Sequence, residues 1–159
     1  MAQIVGTDAN DTLKDTTEND DIFGLDGNDR IESSAGHDVI EGGAGADTFV
    51  FGGEVRSATL SYVSSDVGIN VDYDYYSAEL DASGGDAEGD TVISTAGRID
   101  MTIIGSDHDD HFDGRNVVFE GGGGADHFDG YNVVSYAHSG EGVTVDLTTG
   151  SASGGDAEG

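Results

Sequence analysis

The chain has 159 residues, with 33 Asp and Glu against 5 Lys and Arg, a formal charge of −28, 27 Gly and no Pro, Cys or Trp. That length fits one domain or an excerpt of a longer array. The lack of Cys excludes a disulfide framework and a thiolate metal site, no run of about 18 apolar residues is present to span a membrane, and the charge repels nucleic acid and anionic lipid. Only 34 residues are Leu, Ile, Val or Phe. So few cannot easily offset backbone ordering at roughly 1–2 kcal/mol per residue in an acidic, glycine-rich chain, so folding calls for cations that neutralise the carboxylates. The opening MAQIVGTDAND has no basic stretch leading into an apolar one, hence no visible signal peptide.

From residue 6 the chain divides into nines: GTDANDTLK (6–14), DTTENDDIF (15–23), GLDGNDRIE (24–32), SSAGHDVIE (33–41) and GGAGADTFV (42–50). The sixth position is Asp in every row: Asp11, Asp20, Asp29, Asp38 and Asp47. The eighth is Leu13, Ile22, Ile31, Ile40 and Phe49, always large and apolar. Turn formers fill the first six positions and strand formers the last three. Along such a strand the eighth side chain points inward while its neighbours, Thr12, Lys14, Arg30 and Glu32 among them, point outward.

Farther along, GDAEGDTVI (85–93) is a degenerate row with Asp90 sixth and Val92 eighth. GSDHDDHFD (105–113) and GGGGADHFD (121–129) restore the pattern with Asp110 and Asp126. A longer duplication joins residues 61–89 to 135–159, both ending in SGGDAEG. Alternation at Ile69, Val71, Tyr73 and Tyr75, and at Val143, Val145 and Leu147, predicts strands. The predicted organisation is a repeat block over 1–52, a β-rich intervening segment over 53–104 that ends in the degenerate row and a connector, a short second block over 105–130, and a partial copy of the intervening segment over 131–159. Closure on a repeat unit suggests an excerpt of a longer repetitive protein.

The rows resemble the RTX (hemolysin-type calcium-binding) nonapeptide G-G-x-G-x-D-x-U-x, which Gly42–Val50 matches in full. The resemblance implies an all-β fold, a right-handed parallel β-roll in which two nines make one coil, with longer coils or a β-rich cap between the blocks. Turns on one edge then align Asp11, Asp29 and Asp47, and on the other Asp20 and Asp38, at about the 4.7–4.9 Å strand separation. A divalent cation between each pair turns repulsion into attraction. Ca²⁺ suits hard oxygen ligands in flexible geometry better than Mg²⁺, and Zn²⁺ would want His or Cys. The resemblance implies several Ca²⁺ ions held by these sixth-position aspartates and by turn carbonyls, with Asp110 and Asp126 sharing a further ion. The sixteen residues between those two, against eighteen elsewhere, and the absence of a turn Asp in the intervening GRNVVFE, leave the far edge there undefined. Asp90 joins the set through its degenerate row, and the third-position Asp8, Asp26 and Asp107 are additional candidates.

Other features have plainer readings beside functional ones. Asp86, Glu88 and Asp90, and likewise Asp156 and Glu158, read as part of an EF-hand loop or as solvated turns. Tyr73, Tyr75 and Tyr76 read as a sugar-stacking patch or as packing. His111 and His127, with His108 and His138 nearby, read as a transition-metal pair or as polar strand residues. No catalytic motif occurs, so the chain is expected not to be an enzyme. The expected function is a calcium-binding module that folds on Ca²⁺ after type I secretion, as scaffold of a larger extracellular or cell-surface bacterial protein with flanking domains. The alternatives are an auxiliary module binding extracellular polysaccharide, similar to the R-modules of alginate epimerases, or a spacer of an adhesin or surface-layer protein.

Overall fold

Glycine and Asx residues open each row with a backbone reversal, and branched or aromatic residues close it as a short strand. The computed structural model describes residues 1–95, 97–146, 148, 149 and 151–157. Its strands are β1 (Gln3–Val5), β2 (Thr12–Lys14), β3 (Asp21–Phe23), β4 (Arg30–Ser33), β5 (His37–Glu41), β6 (Thr48–Phe51), β7 (Ser57–Ser61), β8 (Asn70–Asp74), β9 (Glu79–Ser83), β10 (Thr91–Ser94), β11 (Asp100–Ile104), β12 (His111–Glu120), β13 (His127–Val134), β14 (Thr144–Asp146) and β15 (Ser151–Ser153). Helix among the described residues amounts to two single 3₁₀ turns, Gly85–Ala87 and Gly155–Ala157. The fold is all-β with mostly parallel pairing, consistent with a β-roll.

Alternate rows pair. Ile4 lies opposite Ile22, and Ile22 opposite Ile40, through β1, β3 and β5; Leu13 lies opposite Ile31, and Ile31 opposite Phe49, through β2, β4 and β6. Two walls result, and the eighth-position side chains fill the space between them. Ile22, Ile31 and Ile40 are fully buried and Phe49 nearly so, whereas Leu13, in the outermost coil, is half-buried. The intervening segment extends both walls. In the first, β7 pairs with β5 and β11 with β7; in the second, β10 pairs with β6. Residues 62–90 leave the walls between β7 and β10 to form the antiparallel hairpin β8–β9, which lies between β10 and β12.

The sixteen-residue spacing of the second block has a local cause. The first half of β12 pairs with β8, and its last three residues pair with β11. One strand therefore passes between the walls without an acidic turn, around a register shift between Arg115 and Val118 at which Asn116 takes φ 53°. β13 stacks on β12 along both halves. Phe112 closes the core here, its ring centroid 4.8 Å from that of Phe119 and 5.3 Å from that of Phe128.

The three tyrosines differ in burial, with Tyr75 half-buried and Tyr76 exposed. Tyr73 is fully buried, with its hydroxyl donating to the Ile99 carbonyl at 3.3 Å. Tyr75 and Tyr76 meet edge to face, and the Arg98 guanidinium covers both rings at 5.7 and 4.9 Å. The duplicated segments share a local structure. In each a hairpin, β8–β9 or β14–β15, leads to a glycine pair at φ 82° then 52° or 51°, and then to a 3₁₀ turn. Leu147 and Glu158 lie outside the described residues.

Ile31→Ala, in the middle of the stack, is expected to destabilise the folded chain by about 2–5 kcal/mol in denaturant unfolding at saturating calcium. Leu13→Ala, with one side of its site open, is expected to cost clearly less; equal costs would contradict the stacking order described above.

Candidate metal sites along one edge

The sixth-position aspartates close each acidic turn just before a strand begins. Their carboxylates form a hydrogen-bonded ladder between coils. The Asp11 amide donates to Asp29 Oδ1 (2.7 Å), Asp29 to Asp47 (2.8 Å) and Asp47 to Asp90 (2.7 Å). On the opposite edge the Ala2 amide donates to Asp20 (2.6 Å) and the Asp20 amide to Asp38 (2.9 Å). In the second block the Ile69 amide donates to Asp110 (2.8 Å) and the Asp110 amide to Asp126 (3.0 Å). A charge-assisted bond from each amide fixes the carboxylate against the coil before it. Asp11, Asp29, Asp47, Asp90, Asp110 and Asp126 all stand where the chain passes from the first wall to the second. They therefore share one edge of the molecule, and the hairpin interrupts the ladder between Asp90 and Asp110.

The second carboxylate oxygen distinguishes the rows. Thr7 binds Asp11 Oδ2 through amide (2.6 Å) and hydroxyl (2.8 Å), and Thr16 binds Asp20 Oδ2 in the same way (2.7 and 2.6 Å). The Ser33 hydroxyl caps Asp38 (2.7 Å), the Ser106 amide caps Asp110 Oδ2 (2.7 Å), and the Tyr62 hydroxyl caps Asp90 (3.0 Å). Where the second row position is Leu25 or Gly43 no hydroxyl is available. Asp29 Oδ2 and Asp47 Oδ2 are buried and have no hydrogen-bond partner among the described residues. An orphaned, ionised oxygen costs several kcal/mol in such surroundings unless a cation meets it.

The surroundings supply further oxygens. A Cβ on Gly24 would collide with both Asp29 Oδ2 and the Gly42 carbonyl oxygen of the following coil, so those oxygens converge on the face that Gly24 leaves open. Gly45, at φ 137°, abuts the Gly27 carbonyl of the preceding coil, and any side chain there would be strained and blocked. Carboxylate and backbone carbonyl oxygens, with no nitrogen or sulfur donor, make the donor set of a hard cation, so the residues present fit Ca²⁺.

Electrostatics favour a cation at the same places. Burial pushes the Asp47 carboxyl up to about 6, against the bond from the Asp29 amide and with the Asp29 charge adding to it. Burial raises Asp90 and Asp126 to about 7 and also raises Asp29, Asp38 and Asp110. Asp20 moves the other way, held down first by the Thr16 hydroxyl and then by the Ala2 amide.

The third-position candidates are placed differently. Asp8, Asp26 and Asp107 are exposed at the turn tips, outside the carboxylate ladder. The D-x-E string is divided among three tasks: Asp86 accepts from the Ser64 hydroxyl (3.2 Å), Glu88 from the Gly84 amide (2.9 Å), and Asp90 joins the ladder. A fifth-position column was missed in the sequence. Asn10 Oδ1 accepts the Asn28 amide (3.0 Å), Asn19 the His37 amide (3.1 Å), Asn28 the Ala46 amide (3.2 Å) and Asp109 the Ala125 amide (2.8 Å), so this column runs against the aspartate ladder. The recurrence of Asn at position five in three of the first five rows was the available signal.

No curated protein and no solved structure matches the chain. Residues 5–39 and 23–54 each match the family described as RTX calcium-binding nonapeptide repeat (4 copies). The stretch that matches, residues 5–54, contains the two orphaned carboxylate oxygens and is similar to the RTX calcium-binding nonapeptide repeat.

Proposed function

We propose that the chain is a right-handed β-roll module that folds around several Ca²⁺ ions and serves as a structural, non-catalytic part of a larger secreted bacterial protein. The observation that carries this reading is the pair of buried carboxylate oxygens, Asp29 Oδ2 and Asp47 Oδ2, with no partner in a turn lined by carbonyls. Ions between Asp11 and Asp29, Asp29 and Asp47, Asp47 and Asp90, and Asp110 and Asp126 would follow one edge, and an ion between Asp20 and Asp38 the other. Asp8, Asp26 and Asp107 are at most peripheral ligands, since they stand outside the ladder.

Binding free energy then becomes folding free energy. Extracellular calcium modules bind at about 10⁻⁴–10⁻³ M. At that affinity the chain stays unfolded in calcium-poor cytosol, passes a type I secretion channel as an open polymer and folds outside the cell. The duplicated hairpin of residues 61–89 and 135–159 supports a repetitive parent protein. A polysaccharide-binding role has less support. The outer face of β8, β9, β12 and β13 carries Asp72, Asp81, Asp113 and Asp129 and would repel an anionic glycan, and Tyr73 is in the core.

Asp29→Asn keeps an acceptor for the Asp11 amide but removes the charge. It is expected to raise the calcium midpoint of folding on the order of tenfold or more, because ligand charge sets affinity, while Asp8→Asn leaves the midpoint within about twofold. Equal shifts in a calcium titration followed by circular dichroism would refute the assignment.

Acid should partly replace calcium. The folded, calcium-free chain holds protons on Asp47, Asp90 and Asp126 up to pH about 6–7, against an ordinary value of 3.8. Over that window the folded state binds more protons than the unfolded state, so its stability rises as pH falls. In chelator, lowering pH from about 8 to about 5 is expected to increase the β signal; an unchanged spectrum would contradict the prediction.

A further inference from the structure

The string DHFDG occurs at 110–114 and again at 126–130. Parallel pairing of β12 and β13 sets His111 opposite His127 and Asp113 opposite Asp129. Phe112 and Phe128 point into the core between them, so the histidines and aspartates share the outer face, away from the ladder formed by Asp110 and Asp126. Both imidazoles aim Nε2 at one atom: His127 Nε2 lies 3.1 Å and His111 Nε2 3.3 Å from Asp129 Oδ2. The three ligand atoms lie within 4.8 Å of one another, and the ring centroids are 5.1 Å apart.

We propose that His111, His127 and Asp129 bind a divalent transition metal, with Zn²⁺ as the type ion, at a site separate from the acidic turns. Tetrahedral Zn²⁺ with arms of about 2.0–2.1 Å holds neighbouring ligand atoms roughly 3.3–3.4 Å apart. Both nitrogen–oxygen separations are already close to that edge length. Only the two imidazoles need to draw together, and neither is packed in place: the three side chains are 47, 69 and 55% exposed. The donor set also sorts the ions. Two imidazole nitrogens suit Zn²⁺, Cu²⁺ and Ni²⁺, whereas Ca²⁺ and Mg²⁺ take oxygen shells. Asp113 and Asp72 flank the site on β12 and β8 and make it more negative. The neighbouring histidines are engaged elsewhere or set apart: His138 bonds Glu120 at 2.9 Å, and His108 is in the turn before β12.

The test is calorimetric titration of ZnCl₂ into the chain at saturating Ca²⁺, so that it does not depend on how folding is coupled to calcium. One Zn²⁺ site is expected that excess Ca²⁺ does not displace. His111→Gln and His127→Gln should each weaken it at least tenfold, and His108→Gln should leave it unchanged. Circular dichroism of each variant confirms that the β signal is retained. The proposal is overturned if the folded chain takes up no Zn²⁺, or if the His111→Gln/His127→Gln double variant binds it as tightly as the parent.

Discussion

The structure depends on how each sixth-position aspartate divides its two oxygens. Oδ1 accepts the amide of the coil before it, which sets the register between coils. In the first block Oδ2 faces the turn of its own row, where a hydroxyl, with or without an amide, or no described protein group, meets it. The first bond orders the carboxylates in a column. The second oxygen, multiplied along that column, concentrates negative charge that hydrogen bonding within the chain does not balance.

The apolar side chains act within this constraint rather than replace it. A single file of Ile22, Ile31, Ile40, Phe49 and Leu60 fills the space between the walls, and each residue touches mainly the coils above and below. Such a stack gains stability coil by coil, through nearest neighbours. Its narrow core offers little to set against the ordering of 27 glycines. On the proposed reading, charge compensation on the edges, more than burial in the middle, decides whether the coils close.

Much of this was legible in the repeat itself. Two fixed columns, Asp at six and a large apolar residue at eight, marked the inward file over residues 6–50, and the family resemblance they carry implied the alternate-row pairing and the two edges. Beyond residue 52 the reading lost detail for physical reasons. β7 and hairpin β8–β9 separate β6 from β10 in sequence, yet the two strands pair, so the continuity of the Asp47 column with Asp90 is a long-range contact invisible to periodicity. The bend at Asn116 substitutes a strand for a turn and shortens the coil, which spacing recorded only as sixteen instead of eighteen. The tyrosine alternation was correct as a strand signal, but which wall it faced depended on the hairpin's partner, β12.

The central claim is that cations hold together a stack that otherwise repels itself. The most direct measurement is small-angle scattering with circular dichroism on the purified chain, first in excess chelator at neutral pH and then with Ca²⁺ or Mg²⁺ added. The account predicts an expanded chain with little β signal in chelator, a compact β-rich particle in Ca²⁺, and little change in Mg²⁺. A particle already compact and β-rich in chelator would contradict it.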